Sequence, residues 1–213
     1  MKEPLLLRTH RIGRLATLAL GLALPACTTT TRPPGLSQSD RQCLAELDRL
    51  DVQYQAEPLR ASAGPACLVE NPVRVTAATI PWNQPAMASC RFVLTFDKFE
   101  REAVRPLAMR YFGQDIRTVI HLGAYSCRTT RSGRESEHAR GAALDLAGVE
   151  LADGRKILVK TDWNSAGKPR DFLHAVATRA CTYFNEVLSP DSDRDHFDHI
   201  HLDLGPYKLC VKR

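Results

Sequence analysis

Two short strings, far apart in the chain, hold the residues whose types and spacing could do chemistry. The first runs Ser136-Glu137-His138-Ala139-Arg140-Gly141-Ala142-Ala143-Leu144-Asp145 and the second Asp198-His199-Ile200-His201. A histidine and a carboxylate seven residues apart, completed by a distant histidine, supply nitrogen and oxygen ligands to a tetrahedral zinc and leave its fourth position for water. His138, Asp145 and His201 are therefore the expected metal ligands and Zn2+ the expected cofactor. Three protein ligands with an open position mark a catalytic ion rather than a structural one.

The local pattern says how these side chains would be aimed. Asp145 lies in Ala143-Leu144-Asp145-Leu146-Ala147, where the two leucines would face one side of a strand and the aspartate the other. Burying that carboxylate unpaired would cost several kcal/mol, so a cation, a network of donors or a metal should meet it. Gly141 permits a close turn that brings His138 back over Asp145. His199 and His201 share a strand face, with Ile200 and Leu202 opposite. With His201 as ligand, His199 stands where it would take a proton from water or stabilise an oxyanion. Asp198 faces away in a regular strand, but a deviation at the strand entrance would swing it inward, so it is a second candidate base. The competing account is a buried His138–Asp145 hydrogen-bonded pair with the last histidines titrating at the surface.

Other polar and aromatic residues read as packing. His174 falls on an amphipathic helix and His121 in a core strand. Tyr125 neighbours a cysteine, Trp82 and Trp163 fall in loops near turn residues, and Ser136 either orients the first ligand or shapes the turn.

The elements that must position the site follow from periodicity. Cys43, Leu44, Leu47 and Leu50 recur at helical spacing after Ser39 and Asp40, which can cap a first short helix. Val73, Val75 and Ala77 alternate with Arg74, Thr76 and Ala78, predicting a strand near 72–80. From Pro85 to Phe112 the apolar residues trace a long helix that ends at Gly113, and Pro106 inside it must kink or divide it. Val119–Tyr125 reads as a central strand. Ala143–Leu151 reads as another, turning at Asp153-Gly154 onto Lys156–Lys160. Phe172 to Leu188 marks a further helix and His199–Leu204 a last strand. The hairpin implies antiparallel pairing, so the expected class is α+β, a small antiparallel sheet with flanking helices.

The N-terminus carries Lys2, Arg8, Arg11 and Arg14, then an apolar run from Leu15 to Ala26 that stops at Cys27. That run is too short to span a bilayer and reads as a secretory signal. Its end, Leu24-Pro25-Ala26-Cys27, resembles a bacterial lipobox, so residues 1–27 are read as a lipoprotein signal with Cys27 as the lipidated residue. An ordinary signal peptide cut nearby is the alternative, and Pro25 is an unusual occupant of a lipobox. Residues 28–38, with four threonines and Pro33-Pro34-Gly35, read as a flexible tether, and 39–213 as one domain. Thr28 is not the aspartate that commonly retains such proteins in the inner membrane, which favours the outer membrane facing the periplasm.

Setting Cys27 aside leaves Cys43, Cys67, Cys90, Cys127, Cys181 and Cys210, an even number that reads as three disulfides in an exported chain. Sequential pairing is the simplest expectation, and no two of them have the close spacing of a zinc–thiolate cluster. The chain has a formal net charge of +5, and removing the signal's four basic residues and Glu3 leaves +2. Without a basic run or an aromatic ladder, nucleic acid is not an expected partner.

On these residues the chain resembles known families. Ser136 to Asp145 fits S-x-H-x-x-G-x-A-x-D at every fixed position, as in zinc D-Ala-D-Ala carboxypeptidases and related murein endopeptidases. The resemblance implies metal held by His138, Asp145 and a later histidine, placed at His201, on the zinc fold shared with hedgehog signalling domains. Paired histidines in the endopeptidase branch are similar to His196, His199 and His201. Many carboxypeptidase relatives have a glutamate three residues before the final histidine and a tryptophan beside that histidine, where this chain has Asp198 and Ile200. Relatives also carry an arginine that holds a substrate carboxylate, which the resemblance puts at Arg128; the alternative is a surface ion pair. More closely, Cys43 to Cys210 looks like the bacterial extensin-like C-terminal domain family, through its early cysteine helix, Gly123-Ala124-Tyr125-Ser126-Cys127-Arg128, the Ser-Glu-His-Ala string and the Asp-His-x-His-Leu-Asp ending.

The expectation is an envelope lipoprotein, membrane-bound through its lipid, whose mononuclear zinc site hydrolyses a bond in peptidoglycan stem peptides. Its alternative is a non-catalytic peptidoglycan-binding or structural envelope protein that retains the metal site.

Overall fold

The computed structural model describes residues 36–58 and 67–210. The signal sequence, Cys27 and the tether up to Gly35 lie outside the described residues. Leu36 already packs against the core, and Ser37 caps α1 (Gln38–Arg49) by accepting the Asp40 N–H at 3.1 Å. There follow β1 (Gln53–Ala56), β2 (Pro72–Ala77), β3 (Pro81–Ser89), α2 (Cys90–Phe99), α3 (Arg105–Phe112), β4 (Ile116–His121), β5 (Ala143–Leu151) and β6 (Lys156–Leu158). The chain continues through α4 (Val159–Asp162), α5 (Lys168–Ala180), β7 (Glu186–Leu188) and β8 (Ile200–Asp203).

The class is α+β, as expected, but the sheet is larger than a small antiparallel one. Its order is β1-β2-β3-β4-β5-β8-β7, with β6 also pairing β5, which makes eight strands among the described residues. Every pairing is antiparallel except β3 with β4, which meet in parallel at Trp82 and Val119.

Besides β1, the added strands draw on segments whose apolar spacing reads as helix. Residues 85–89 belong to β3, which lies against β2, and the helix begins only at Cys90, where Ser89 accepts the Phe92 N–H. Likewise α5 stops at Ala180, and Glu186–Leu188 pairs with β8 instead of extending the helix. The central strand runs Ile116–His121 rather than Val119–Tyr125.

Pro106 divides its helix. Residues Glu100–Val104 form a π turn, Arg105 N–H bonds the Glu100 carbonyl, and Pro106 falls in the first turn of α3, where a missing donor is tolerated. The buried Glu100 carboxyl accepts the Ile80 N–H at 2.9 Å and the Trp82 Nε1–H at 3.2 Å, tying this turn to β3. Trp82 is therefore a buried strand residue, and Trp163, stacked on His174 with ring centroids 4.1 Å apart, is buried too; neither is in an open loop. His121 is buried in β4, as expected.

All six remaining cysteines form disulfides, as Cys43–Cys90, Cys67–Cys127 and Cys181–Cys210. Sequential pairing holds only for the last. The reason is packing: Leu44 and Leu47 of α1 are buried in the same core as Phe92 and Val93 of α2, which brings Cys43 to the first residue of α2 and leaves Cys67 to meet Cys127.

Helix faces and one face of the sheet share a single apolar cluster that includes Phe92, Phe96, Phe99 and Phe172. Leu144, Leu146, Ile200 and Leu202 belong to it. Strand alternation then turns Asp145 and His201 to the other face.

Candidate metal centre

Asp145 of β5 and His201 of β8 are direct partners in the antiparallel ladder, flanked by the pairs Leu144–Leu202 and Leu146–Ile200. Burial of the leucine face fixes the register, and the register fixes the site, because a one-residue slip would turn both polar side chains into the core. His138 arrives on a 3-10 turn, Glu137–Arg140, whose first residues are capped by Ser136 Oγ accepting the His138 N–H at 3.3 Å. Ser136 therefore both shapes the turn and holds the backbone of His138. The turn ends at Gly141 with φ +60°, and a Cβ there would lie 2.8 Å from Val69 Cγ1 and 3.0 Å from the Ser89 nitrogen. Only glycine fits that close approach without strain.

Three donor atoms converge. His138 Nε2 lies 3.1 Å from Asp145 Oδ1 and 3.2 Å from His201 Nδ1, and His201 Nδ1 lies 3.0 Å from the same Asp145 oxygen. Two ligands each about 2.0–2.1 Å from a tetrahedral zinc are roughly 3.3–3.4 Å apart, so the spacing fits a shared ion after a small expansion.

The chemistry of the donors agrees. His138 Nδ1 donates to the Ala124 carbonyl at 2.6 Å, which leaves Nε2 as a lone pair. His201 Nε2 donates to Asp203 Oδ2 at 3.1 Å, and Asp203 is itself held by the Gly205 N–H at 2.8 Å. Both imidazoles thus have their outer nitrogens fixed by acceptors, as metal-binding histidines do, and turn their inner nitrogens on one carboxylate oxygen. Two lone pairs and an anion repel unless a cation stands among them. A proton serves in the metal-free protein: burial alone would lower the His201 pKa, but Asp145 and Asp203 outweigh it and raise it to about 9. Burial works the other way on Asp145, and the bonds from His138 and His201 override it, holding the carboxyl far below its ordinary range.

Asp198 and His199 are partners here rather than rivals. His199 Nδ1 donates to Asp198 Oδ1 at 2.9 Å, while Nε2 faces the centre 3.3 Å from Asp145 Oδ1. His199 is not one of the three mutually close donors. His196, whose Nδ1 bonds Asp193 Oδ1 at 2.7 Å, packs its ring 5.2 Å from His199 and 5.8 Å from His201.

These side chains line one cleft of about 660 Å³. Arg128 lies in the loop beyond β4, exposed and on the rim of that cleft. His121 and His174 are elsewhere: the first bonds the Gln84 carbonyl at 3.0 Å, the second the Trp163 carbonyl at 3.1 Å.

Sequence reasoning did not single out Asp203, Glu137 or Glu186. Asp203 was within reach of it, because it follows His201 by two residues and shares its strand face. Glu186 is Asp203's partner in the β7–β8 ladder, and burial and then the Asp203 charge push its carboxyl up. Nothing in the sequence near residue 186 signals that pairing. Glu137 is pushed up by the same two causes.

A family model described as extensin-like protein C-terminus matches residues 41–211. No curated protein and no solved structure matches the chain.

Proposed function

The chain belongs to the family of extensin-like protein C-termini across residues 41–211, and from that premise we propose that it is an envelope lipoprotein whose mononuclear zinc site hydrolyses a peptide bond in peptidoglycan. The observation that carries the reading is the set of three inward donors at 3.0–3.2 Å with their outer atoms already fixed. The likeness of Ser136–Asp145 to the zinc D-Ala-D-Ala carboxypeptidases and murein endopeptidases supports the substrate class. The apolar run ending at Cys27, with six paired cysteines beyond it, supports export and a lipid anchor, with Thr28 favouring the outer membrane.

His138, Asp145 and His201 would hold the ion. Zinc bound there supplies Lewis acidity, polarising a scissile carbonyl and lowering the pKa of water toward neutrality. His199 takes the proton at Nε2 and passes it to the leaving amine, while Asp198 keeps its Nδ1–H and hence its orientation. Arg128 offers a guanidinium fork to a substrate carboxylate on the cleft rim.

The test is bound metal together with muropeptide release from purified peptidoglycan, for wild type and His138→Ala. The reading expects about one zinc per chain and release lost in the variant. Equal release by both would sink it. Stoichiometric zinc with peptidoglycan binding and no release would replace it with a non-catalytic binding protein.

A further inference from the structure

The loop between Arg128 and Ser136 is a short antiparallel ribbon. Thr129 bridges Glu135, Thr130 N–H bonds the Arg134 carbonyl at 2.7 Å, and Ser136 N–H bonds the Arg128 carbonyl at 3.3 Å. The turn closes with Gly133 at φ +78°, the left-handed position such three-residue loops require. In this register Arg128 stands opposite Ser136 and Thr130 opposite Arg134, so Arg128, Arg134 and Ser136 share one face. Ser136 is the buried cap of the His138 turn, and Arg128 and Arg134 line the same cleft as His138, Asp145 and His201. Glu135, on the other face, pairs with Arg140 at 2.6 Å.

Arg128 and Arg134 are thus diagonal neighbours on that face, about 7–8 Å apart at the backbone. Neither has a carboxylate oxygen within ion-pair distance among the described residues, whereas Arg131 of the same ribbon reaches Asp195 at 2.8 Å. Glu186 is near enough to Arg134 to feel its charge but makes no contact with it. The guanidinium of Arg134 lies over the exposed Tyr207 ring, 4.8 Å from its centroid, which limits the freedom that side chain must lose on binding. Two cations on one face, neither in a direct ion pair, are open to an anionic ligand.

We propose that Arg128 and Arg134 form a two-guanidinium fork that reads two carboxylates of an acidic peptide segment lying in the metal cleft. This rests on the peptidase reading of that cleft and names its substrate class. Carboxylates two residues apart in an extended peptide are separated by about 7 Å, which matches the diagonal spacing of the two arginines. A polyphosphate or nucleic acid fits poorly, because the cleft lining carries seven carboxylates against four arginines. Two discrete cations within an acidic surround select discrete carboxylates at fixed spacing.

The test is calorimetric binding to metal-free full-length protein, so that it does not depend on turnover. The probes are an extended tetrapeptide with two carboxylates two residues apart, its two monoamides and its diamide. The diacid should bind at least tenfold more tightly than the diamide at low salt, with the monoamides between. Arg128→Gln and Arg134→Gln should each weaken the diacid about tenfold and leave the diamide unchanged. Tyr207→Leu should weaken the diacid less, and Tyr207→Phe not at all. Equal binding of diacid and diamide overturns the fork, as does displacement of the diacid by an equal concentration of inorganic phosphate. Cleavage is scored separately on the zinc-loaded protein. A protein that prefers the diacid and cleaves nothing keeps the fork and loses the peptidase reading, and one that cleaves diacid and diamide alike keeps the peptidase reading and loses the fork.

Discussion

Asp203 Oδ2 accepts the Nε2–H of His201 at 3.1 Å, on the side of the ring opposite Asp145. That single bond sets the tautomer of His201. Replacing Asp203 by asparagine keeps the shape but removes the charge, and partners of this kind are worth about 10–100-fold in metal affinity. Competition with a fluorescent chelator should find zinc held 10–100-fold more weakly in Asp203→Asn, and unchanged affinity would count against the assigned roles.

His199 offers a sharper division between ligand and base. As a base outside the three donors, it should be removable with zinc retained, so His199→Ala should keep stoichiometric metal while turnover falls about 10²- to 10⁴-fold. Asp198→Asn should lower kcat with KM and zinc nearly unchanged and move the pH profile, because it disturbs only the histidine's orientation and basicity. Loss of zinc from His199→Ala would make His199 a fourth ligand.

The metal-free protein should have its own pH signature. His201 has a folded-state pKa of about 9, above an unperturbed value of about 6.5. Its stabilising contribution is therefore full below about pH 6.5 and disappears as pH rises through 9. The melting temperature of chelator-treated protein should fall between pH 6.5 and 9, and that of His201→Gln should not show this fall. Zinc should remove the trend, since the ion replaces the proton. A chelated wild type whose melting temperature is flat or rising across that window would contradict the proton's place.

Gly141 tests the backbone rather than the chemistry. Alanine there would take up a left-handed conformation, costing about 1–2 kcal/mol, and would also press on Val69 and the Ser89 nitrogen. Gly141→Ala should lose at least about that much in urea unfolding and weaken zinc binding as His138 shifts. A loss below about 0.5 kcal/mol would mean the turn can relax.

Residues in strict alternation or fixed spacing were readable in advance, and those placed by long-range pairing were not. Ala143–Leu151 appears at its predicted bounds because its leucines alternate with Asp145 and the adjoining turn has strong signals. His138, Asp145 and His201 come together in the fold, and Gly141 makes the close turn its position allowed. Residues 85–89 failed as helix because Ala86 and Ala88 also satisfy a two-residue period, and pairing with β2 decided the matter. Asp198 looked like a competitor of His199 because one strand face cannot hold both; the contact forms just ahead of β8, where the chain is not yet a strand. The first two disulfides depend on α1 lying against α2, a tertiary fact no cysteine spacing contains.

The Cys67–Cys127 bridge anchors the segment whose Ala124 carbonyl orients His138. Maturation then has an order. Under the proposed zinc reading, a chain that met the ion with the thiols of these three disulfides still reduced would present sulfurs, softer ligands than imidazole or carboxylate, that compete for it with His138, Asp145 and His201. On that reading oxidation has to come first, and the conditions that form the disulfides would also decide which metal the protein carries.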